Sequence, residues 1–264
     1  MSPHRAQTID EAAAFVDGVG LALLFPAADL VLPSLWEAVA GARPVRWALR
    51  DPDGKFVSFT PEFDRIWRWK DELPERKLAC AGKHLGRAVV LVAPRLVSAL
   101  YALTGRSGDV ADFRTLDDLS PLEREVAEVV LETGPCSGPE IRRLLGTGDK
   151  RAAEKAAEAL QRRLVLTNAG TVDQEAGWAA VAVDVFARRW RTRLRRLPEP
   201  EKARRVLARR VLEAAGEVSA ADLAAALHWR RAEAAAVLDD LVSRRAAVRH
   251  DEDGYSVWSR AATD

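Results

Sequence analysis

The stretch GPCSGPEIRRLLGTGDKRAAEKAAEALQRR, residues 134–163, returns 82 residues later as GEVSAADLAAALHWRRAEAAAVLDDLVSRR, residues 216–245, without a gap. Gly134 falls on Gly216, Ser137 on Ser219, Glu140 on Asp222, Leu145 on Leu227, Ala152-Ala153 on Ala234-Ala235 and Arg162-Arg163 on Arg244-Arg245. In each copy a serine is followed three residues later by a carboxylate, the spacing of a capping box that starts a helix. A longer helix with an apolar stripe follows, ends at the paired arginines, and gives way to two short β-prone runs. Helix, glycine turn, capped helix, longer helix and hairpin, in that order, predict a winged helix-turn-helix, a fold used mainly to place one helix in a DNA groove. The fold class expected is mainly α with small β-hairpins, organised as tandem winged helix-turn-helix domains.

Outward from the repeat, Ser120-Pro121 with Glu123 starts the first helix of the first copy, and Pro198 and Pro200 separate the second copy, residues 201–258, from it. Residues 164–166 and 171–172 around Asn168-Ala169-Gly170 read as the first wing, and residues 247–258 as the second. Residues 178–196, apolar at Trp178, Val181, Val185, Phe186 and Trp190, read as one connecting amphipathic helix. Further upstream, Thr8 with Glu11 caps a first helix, and residues 21–24 are a short apolar run. Pro33-Ser34 opens a short helix, and residues 63–72 read as a longer one. Residues 45–49 and 55–59 flank the turn Asp51-Pro52-Asp53-Gly54, and residues 78–81 and 88–92 form a second hairpin. Residues 96–103 are helical and the polar residues 105–118 read as a linker. Three domains follow: an N-terminal lobe over residues 1–117, a first clear winged helix with its connecting helix over 118–197, and a second over 198–264.

Charge is abundant but balanced, with 40 Lys+Arg against 39 Asp+Glu. The balance hides one asymmetric run: residues 186–210 hold 11 bases and two acids, which invites a polyanion. Two cysteines, Cys80 and Cys136, lack metal-ligand spacing and read as reduced thiols. No cofactor motif, metal site or apolar run near the ~20 residues of a membrane span is present, and the N-terminus lacks a signal-peptide layout. These features predict a cytoplasmic protein with no cofactor, no metal and no membrane partner.

The outer face of the first copy's long helix offers Lys150, Arg151, Lys155 and Arg162 to phosphates, and the basic run adds Arg188, Arg189 and Arg191. The second copy carries Glu233, Asp239 and Asp240 on its long helix and Asp251-Glu252-Asp253 in its wing, a charge that repels phosphate and suits packing. Trp67 and Trp69, beside Lys70-Asp71-Glu72, are candidates for stacking on an unpaired base, or else for packing inside a charged helix end. His84, in a turn between basic neighbours, is a candidate phosphate or base contact.

Four segments in order, Gly20-Leu21-Ala22-Leu23-Leu24-Phe25-Pro26, Leu32-Pro33-Ser34-Leu35-Trp36-Glu37, Trp69-Lys70-Asp71-Glu72-Leu73-Pro74 and Leu119-Ser120-Pro121, resemble the AlkZ/YcaQ family of winged-helix DNA glycosylases, and its AlkZ-related branch most. The resemblance runs from Glu11 to about Trp258. It implies that the N-terminal region is also a winged helix, that the tandem domains form a concave DNA-binding face, and that the relatives excise bases at alkylation damage and crosslinks. It also implies a Gln-x-Gln or Gln-x-Asp pair after a Leu-Leu pair. Here Leu23-Leu24 is followed by Phe25-Pro26-Ala27, and neither position carries a group that could orient a water. Any remaining chemistry falls to Asp71 and Glu72, the candidate catalytic carboxylates in the matched segment, with Asp29 as a further acid nearby. The function expected is binding of double-stranded DNA, damaged duplexes included, by a glycosylase-related protein without excision. A winged-helix transcription regulator, with the N-terminal region as sensor or dimer unit, is the alternative.

Overall fold

The computed structural model describes residues 5–172, 179–252 and 255–261. A first run of elements comprises α1 (Ile9–Val19), β1 (Leu21–Leu23), α2 (Leu35–Ala40), β2 (Ala48–Arg50), β3 (Phe56–Phe59), α3 (Pro61–Glu75), β4 (Cys80–Gly82) and β5 (Val90–Val92). After α4 (Val97–Ala102), a second run holds α5 (Pro121–Thr133), β6 (Cys136–Ser137), α6 (Gly138–Leu145), α7 (Lys150–Arg162), β7 (Leu166–Val172) and β8 (Ala180–Val185). The single turns α8 (Phe186–Arg189) and α9 (Arg191–Leu194) lead to a third run, α10 (Pro200–Ala215), β9 (Glu217–Ser219), α11 (Ala220–Leu227), α12 (Arg231–Ser243), β10 (Ala247–Glu252) and β11 (Tyr255–Arg260).

Each run closes a three-stranded antiparallel sheet with its last strand in the middle: β1-β5-β4, β6-β8-β7 and β9-β11-β10. The pattern that the sequence shows twice, the fold shows three times. The middle helix of every run starts with the same capping box, Ser34 with Glu37, Ser137 with Glu140 and Ser219 with Asp222. The long helix of every run ends the same way as well. Lys77, Leu164 and Arg245 take left-handed φ values of 56°, 55° and 58°. The amide after each of them donates back across the last turn, from Leu78 to the Leu73 carbonyl, Val165 to Leu160 and Ala246 to Leu241, each at 2.9 Å. This bond satisfies a carbonyl that a helix end otherwise leaves without a partner.

The sheet β1-β5-β4 is buried on both faces because its side chains alternate. Ala22, Ala81 and Leu91 join Val16, Trp36, Ile66 and Leu73 in a core under the first run's helices. Leu21, Leu23, Cys80, Val90 and Val92 join the core of the second and third runs. The first sheet is thereby the wall between the two cores.

Three expectations are corrected. Residues 180–196 do not form one connecting helix: Ala180–Val185 is strand β8, and only the turns α8 and α9 follow. Val181, Val183 and Val185 are β-branched and alternate, and they close the sheet by pairing with β7 and β6; Trp178 lies outside the described residues. Nor does the first wing turn at Asn168-Ala169-Gly170, since β7 runs straight through with a bulge there. Gly170 has φ 116°, and a Cβ on it would come within 2.9 Å of the Glu75 side chain, so glycine is needed where the end of α3 presses on β7. Residues 105–118, expected as a linker, instead hold Arg106, Asp112 and Phe113 in the interior.

A left-handed non-glycine residue is strained. Replacing exposed Arg245 by glycine should raise stability by up to about 1 kcal/mol, read as a higher urea midpoint at unchanged slope.

Candidate nucleic-acid interface

Helix α7 starts where the Asp149 carboxylate accepts the Ala152 amide at 2.9 Å, and it buries Ala153, Ala156, Leu160 and Gln161. Lys150, Arg151, Lys155 and Arg162 therefore face out, all exposed. Lys150 meets Glu154 at 3.7 Å and Arg162 meets Glu158 at 3.8 Å, one turn along. Such exposed pairs are worth about 0.3–0.5 kcal/mol each, too little to hold a cation against a phosphate. Arg151 and Lys155 make no ion pair among the described residues. Arg142 and Arg143 stand in the last turn of the preceding helix α6.

The long helix of the third run carries fewer bases, with Arg231 at its start exposed, and its acids are paired. Glu233 takes Arg204 at 2.5 Å, and Asp240 takes Arg205 at 3.2 Å and Arg244 at 3.0 Å. The acids of α12 thus neutralise the bases of α10, and Arg209 and Arg210 both pair with Glu213. Much of the basic run is consumed inside the protein. Arg188 binds Asp184 and donates to the carbonyls of Val130 and Leu131 at 2.7 Å, in the last turn of α5. Arg189 donates to the carbonyls of Pro74 and Glu75, at the end of α3. The two consecutive arginines meet carbonyls at the negative ends of two helices, where cations are favoured. This corrects the expectation that they face phosphate; Arg191 remains exposed, with Arg193, Arg195 and Arg196.

His84 is also corrected, from a surface contact to a buried one. Its Nδ1 lies 3.0 Å from the Gln161 carbonyl, which can only accept, so Nδ1 carries the proton. Its Nε2 lies 3.2 Å from Thr167 Oγ1 and 3.5 Å from Cys80 Sγ, while the Thr167 hydroxyl donates to the Ala81 carbonyl at 3.0 Å. A Cβ on Gly82 would stand 2.7 Å from the ring, so only glycine lets the imidazole lie there. Burial pushes the His84 pKa down to about 4 against the partly offsetting bond to the Gln161 carbonyl, and pushes the Cys80 thiol up to about 12. A neutral imidazole beside an un-ionised thiol is a packing element of the joint between the first and second runs, not a nucleophile with its base.

The remaining candidates separate. Trp69 is buried in the first core, whereas Trp67 is 41% exposed, stacks on Phe63 at 5.6 Å and carries Lys70 Nζ 4.4 Å over its ring. Burial raises the Asp71 pKa, opposed by Lys70, whose ammonium is 2.6 Å away. Glu72 pairs with Arg76 at 3.0 Å. The residues after Leu23-Leu24 are apolar in place as well as in type. Phe25 packs between Phe63 at 5.5 Å and Trp36 at 6.2 Å, and Pro26 and Ala27 line an open groove of about 1000 Å³. The carboxylates in that groove, Glu11 and Glu37, accept backbone amides in the capping boxes of α1 and α2.

The sequence profile of the family described as AlkZ related matches residues 6–228. The chain belongs to the AlkZ-related family. Among solved structures, the Streptomyces sahachiroi DNA glycosylase AlkZ is similar in fold, with a TM-score of 0.55 at 14% identity. The match covers 97% of this chain and 65% of that one, so this AlkZ-related chain spans less than two thirds of AlkZ. A protein of Corynebacterium diphtheriae matches over 75% of this chain and 36% of its own at 21% identity, with a TM-score of 0.24. No curated protein matches. In this AlkZ-related chain no helix among the described residues is long and apolar enough to cross a membrane.

The His84 shift sets a pH dependence. An unfolded histidine binds its proton near pH 6.5, the folded one only near pH 4. Between those values the unfolded state holds more protons, so stability is full above about pH 6.5 and falls as pH drops towards 4, by up to about 3 kcal/mol. Urea midpoints of the wild type should decline across that window, and His84→Gln should show a lower plateau with a shallower decline.

Proposed function

We propose that this AlkZ-related protein is a DNA-binding protein built from three tandem winged helices, over residues 1–117, 118–197 and 198–264, and that it holds double-stranded DNA, damaged duplexes included, without excising a base. The observation that carries the reading is α7. It is the long helix after a capped turn, its inner face is fixed by Ala153, Ala156 and Leu160, and its outer face offers Arg151 and Lys155 with Lys150 and Arg162 beside them. An α-helix fits the major groove, and cations on such a face reach phosphates on either side of it. The third copy, with its acids already paired, serves as a packing unit. Likeness in fold to a protein named as a DNA glycosylase supports the same frame.

The absence of excision follows from the chemistry of the groove. Cleaving a glycosidic bond builds positive charge on the sugar, which a fixed anion or an oriented water must meet. Phe25 and Ala27 offer neither, Asp71 is matched by Lys70, and Glu72 by Arg76.

Binding should be driven by phosphates. In anisotropy titrations, Arg151→Ala with Lys155→Ala should weaken binding to unrelated duplex sequences by similar factors and should reduce the salt slope by roughly one unit for each phosphate no longer neutralised. Affinity that does not change with salt would overturn this reading. An alkylated duplex incubated with the protein should release no base. Release that disappears in Asp71→Asn or Glu72→Gln would instead assign those carboxylates to catalysis.

A further inference from the structure

Between their middle and long helices the second and third runs have only short turns, from Leu145 to Lys150 and from Leu227 to Arg231, whereas the first run inserts the hairpin β2–β3 between Ala40 and Pro61. The hairpin is apolar and exposed: Trp47 is 47% exposed and Phe56 50%. Their rings stack at 5.9 Å and 18°. From Phe56 a row of rings continues through Phe59 at 5.3 Å and Phe63 at 5.2 Å to Trp67 at 5.6 Å on the outer face of α3. Cations border the row at both ends, Arg50 over Trp47 at 5.3 Å and Lys70 over Trp67 at 4.4 Å. Arg46 and Lys55 make no side-chain ion pair among the described residues. At the root of the hairpin, Trp36, Arg43, Arg46 and Glu62 border a cavity of about 330 Å³.

We propose that this hairpin, with Trp67, is a stacking platform for unpaired bases of a DNA strand, with Trp47, Phe56 and Trp67 taking base faces and Arg46 and Lys55 taking the phosphates between them. The inference rests on the DNA-binding reading and adds a second contact to the one at α7. Every base offers a π-face and every linkage a negative charge, so a row of rings bordered by cations matches a strand in both respects. A second copy of this chain fits less well. Residues 43–59 hold four bases against two acids, and two such faces brought together would oppose like charges.

The test compares a duplex carrying a short unpaired bulge with its fully paired counterpart. The wild type should prefer the bulged duplex, and Trp47→Ala with Phe56→Ala should lose about tenfold or more on it while keeping its affinity for the paired one. Both rings are half exposed and belong to neither core, so the double variant should stay folded, with a thermal midpoint lowered only slightly by the lost stacking. Trp47→Phe should keep the preference and Trp47→Leu, equally apolar, should lose it. Equal binding of both duplexes by wild type and variant would overturn the platform and leave the α7 interface standing, whereas binding of neither would overturn both. Retention of the preference by Trp47→Leu would overturn stacking. A wild-type dimer that the double variant converts to monomer in sedimentation would give the face to a second copy and overturn the proposal.

Discussion

Arg106 and Asp112 lie 3.0 Å apart with both side chains only 4% exposed, and the seating of α4 and the segment after it against the second run depends on them. Taking two charges out of water costs several kcal/mol each, and their attraction offsets that only when the remaining donors and acceptors are used. Here most of them are. The Asp112 carboxylate also accepts the Tyr101 hydroxyl at 2.7 Å and the Gly108 amide at 2.8 Å. Arg106 extends its other nitrogen to the carbonyls of Arg163 and Leu164, at the end of α7. Tyr101 lies 4.8 Å under the guanidinium and stacks on Phe186 at 5.3 Å. A short segment thus fixes α4, the end of α7 and the start of α8 at once.

Arginine performs a similar task at Arg188 and Arg189. A planar guanidinium can satisfy two carbonyls together, which suits a helix end that meets a neighbouring element. Using arginines this way removes cations from the surface without removing them from the composition. A chain of nearly zero net charge is therefore uneven in space. Much of the third run's charge is neutralised internally, and the end of α3 and the last turn of α5 absorb two arginines. Bases without an ion pair among the described residues remain on α7, on α9 and on the aromatic hairpin, as well as at Arg230 and Arg231.

Regular elements were legible where local rules decide them. The capping boxes at Ser120, Ser137 and Ser219 and the helices they begin could be read directly, because a cap is a contact between residues three apart. The turn at residues 51–54 was legible for the same reason. The elements misread were those whose state depends on distant partners. Residues 180–185 carry a helical stripe as well as β-branched alternation, and only the waiting edge of β7 selects the strand. The polar residues 105–118 look like a linker until Tyr101 and Arg163 supply their partners. The first run's kinship with the other two was implied by the family resemblance alone and not by the repeat, because the hairpin inserted between α2 and α3 breaks the spacing.

The same division holds for function. The sequence by itself determined the repeated helix pattern, the membership implied by its ordered segments, the basic outer face of α7 and the apolar side chains at Phe25 and Ala27, since each is fixed by residue type at short spacing. Only the tertiary structure decided which charges are free. His84, Trp69, Arg188 and Arg189 are all plausible DNA contacts as letters, yet packing against segments far away in sequence withdraws them. It leaves Trp47, Phe56 and Trp67 at the surface, because whether a ring or a guanidinium meets solvent is set by what folds over it, and local sequence does not encode that.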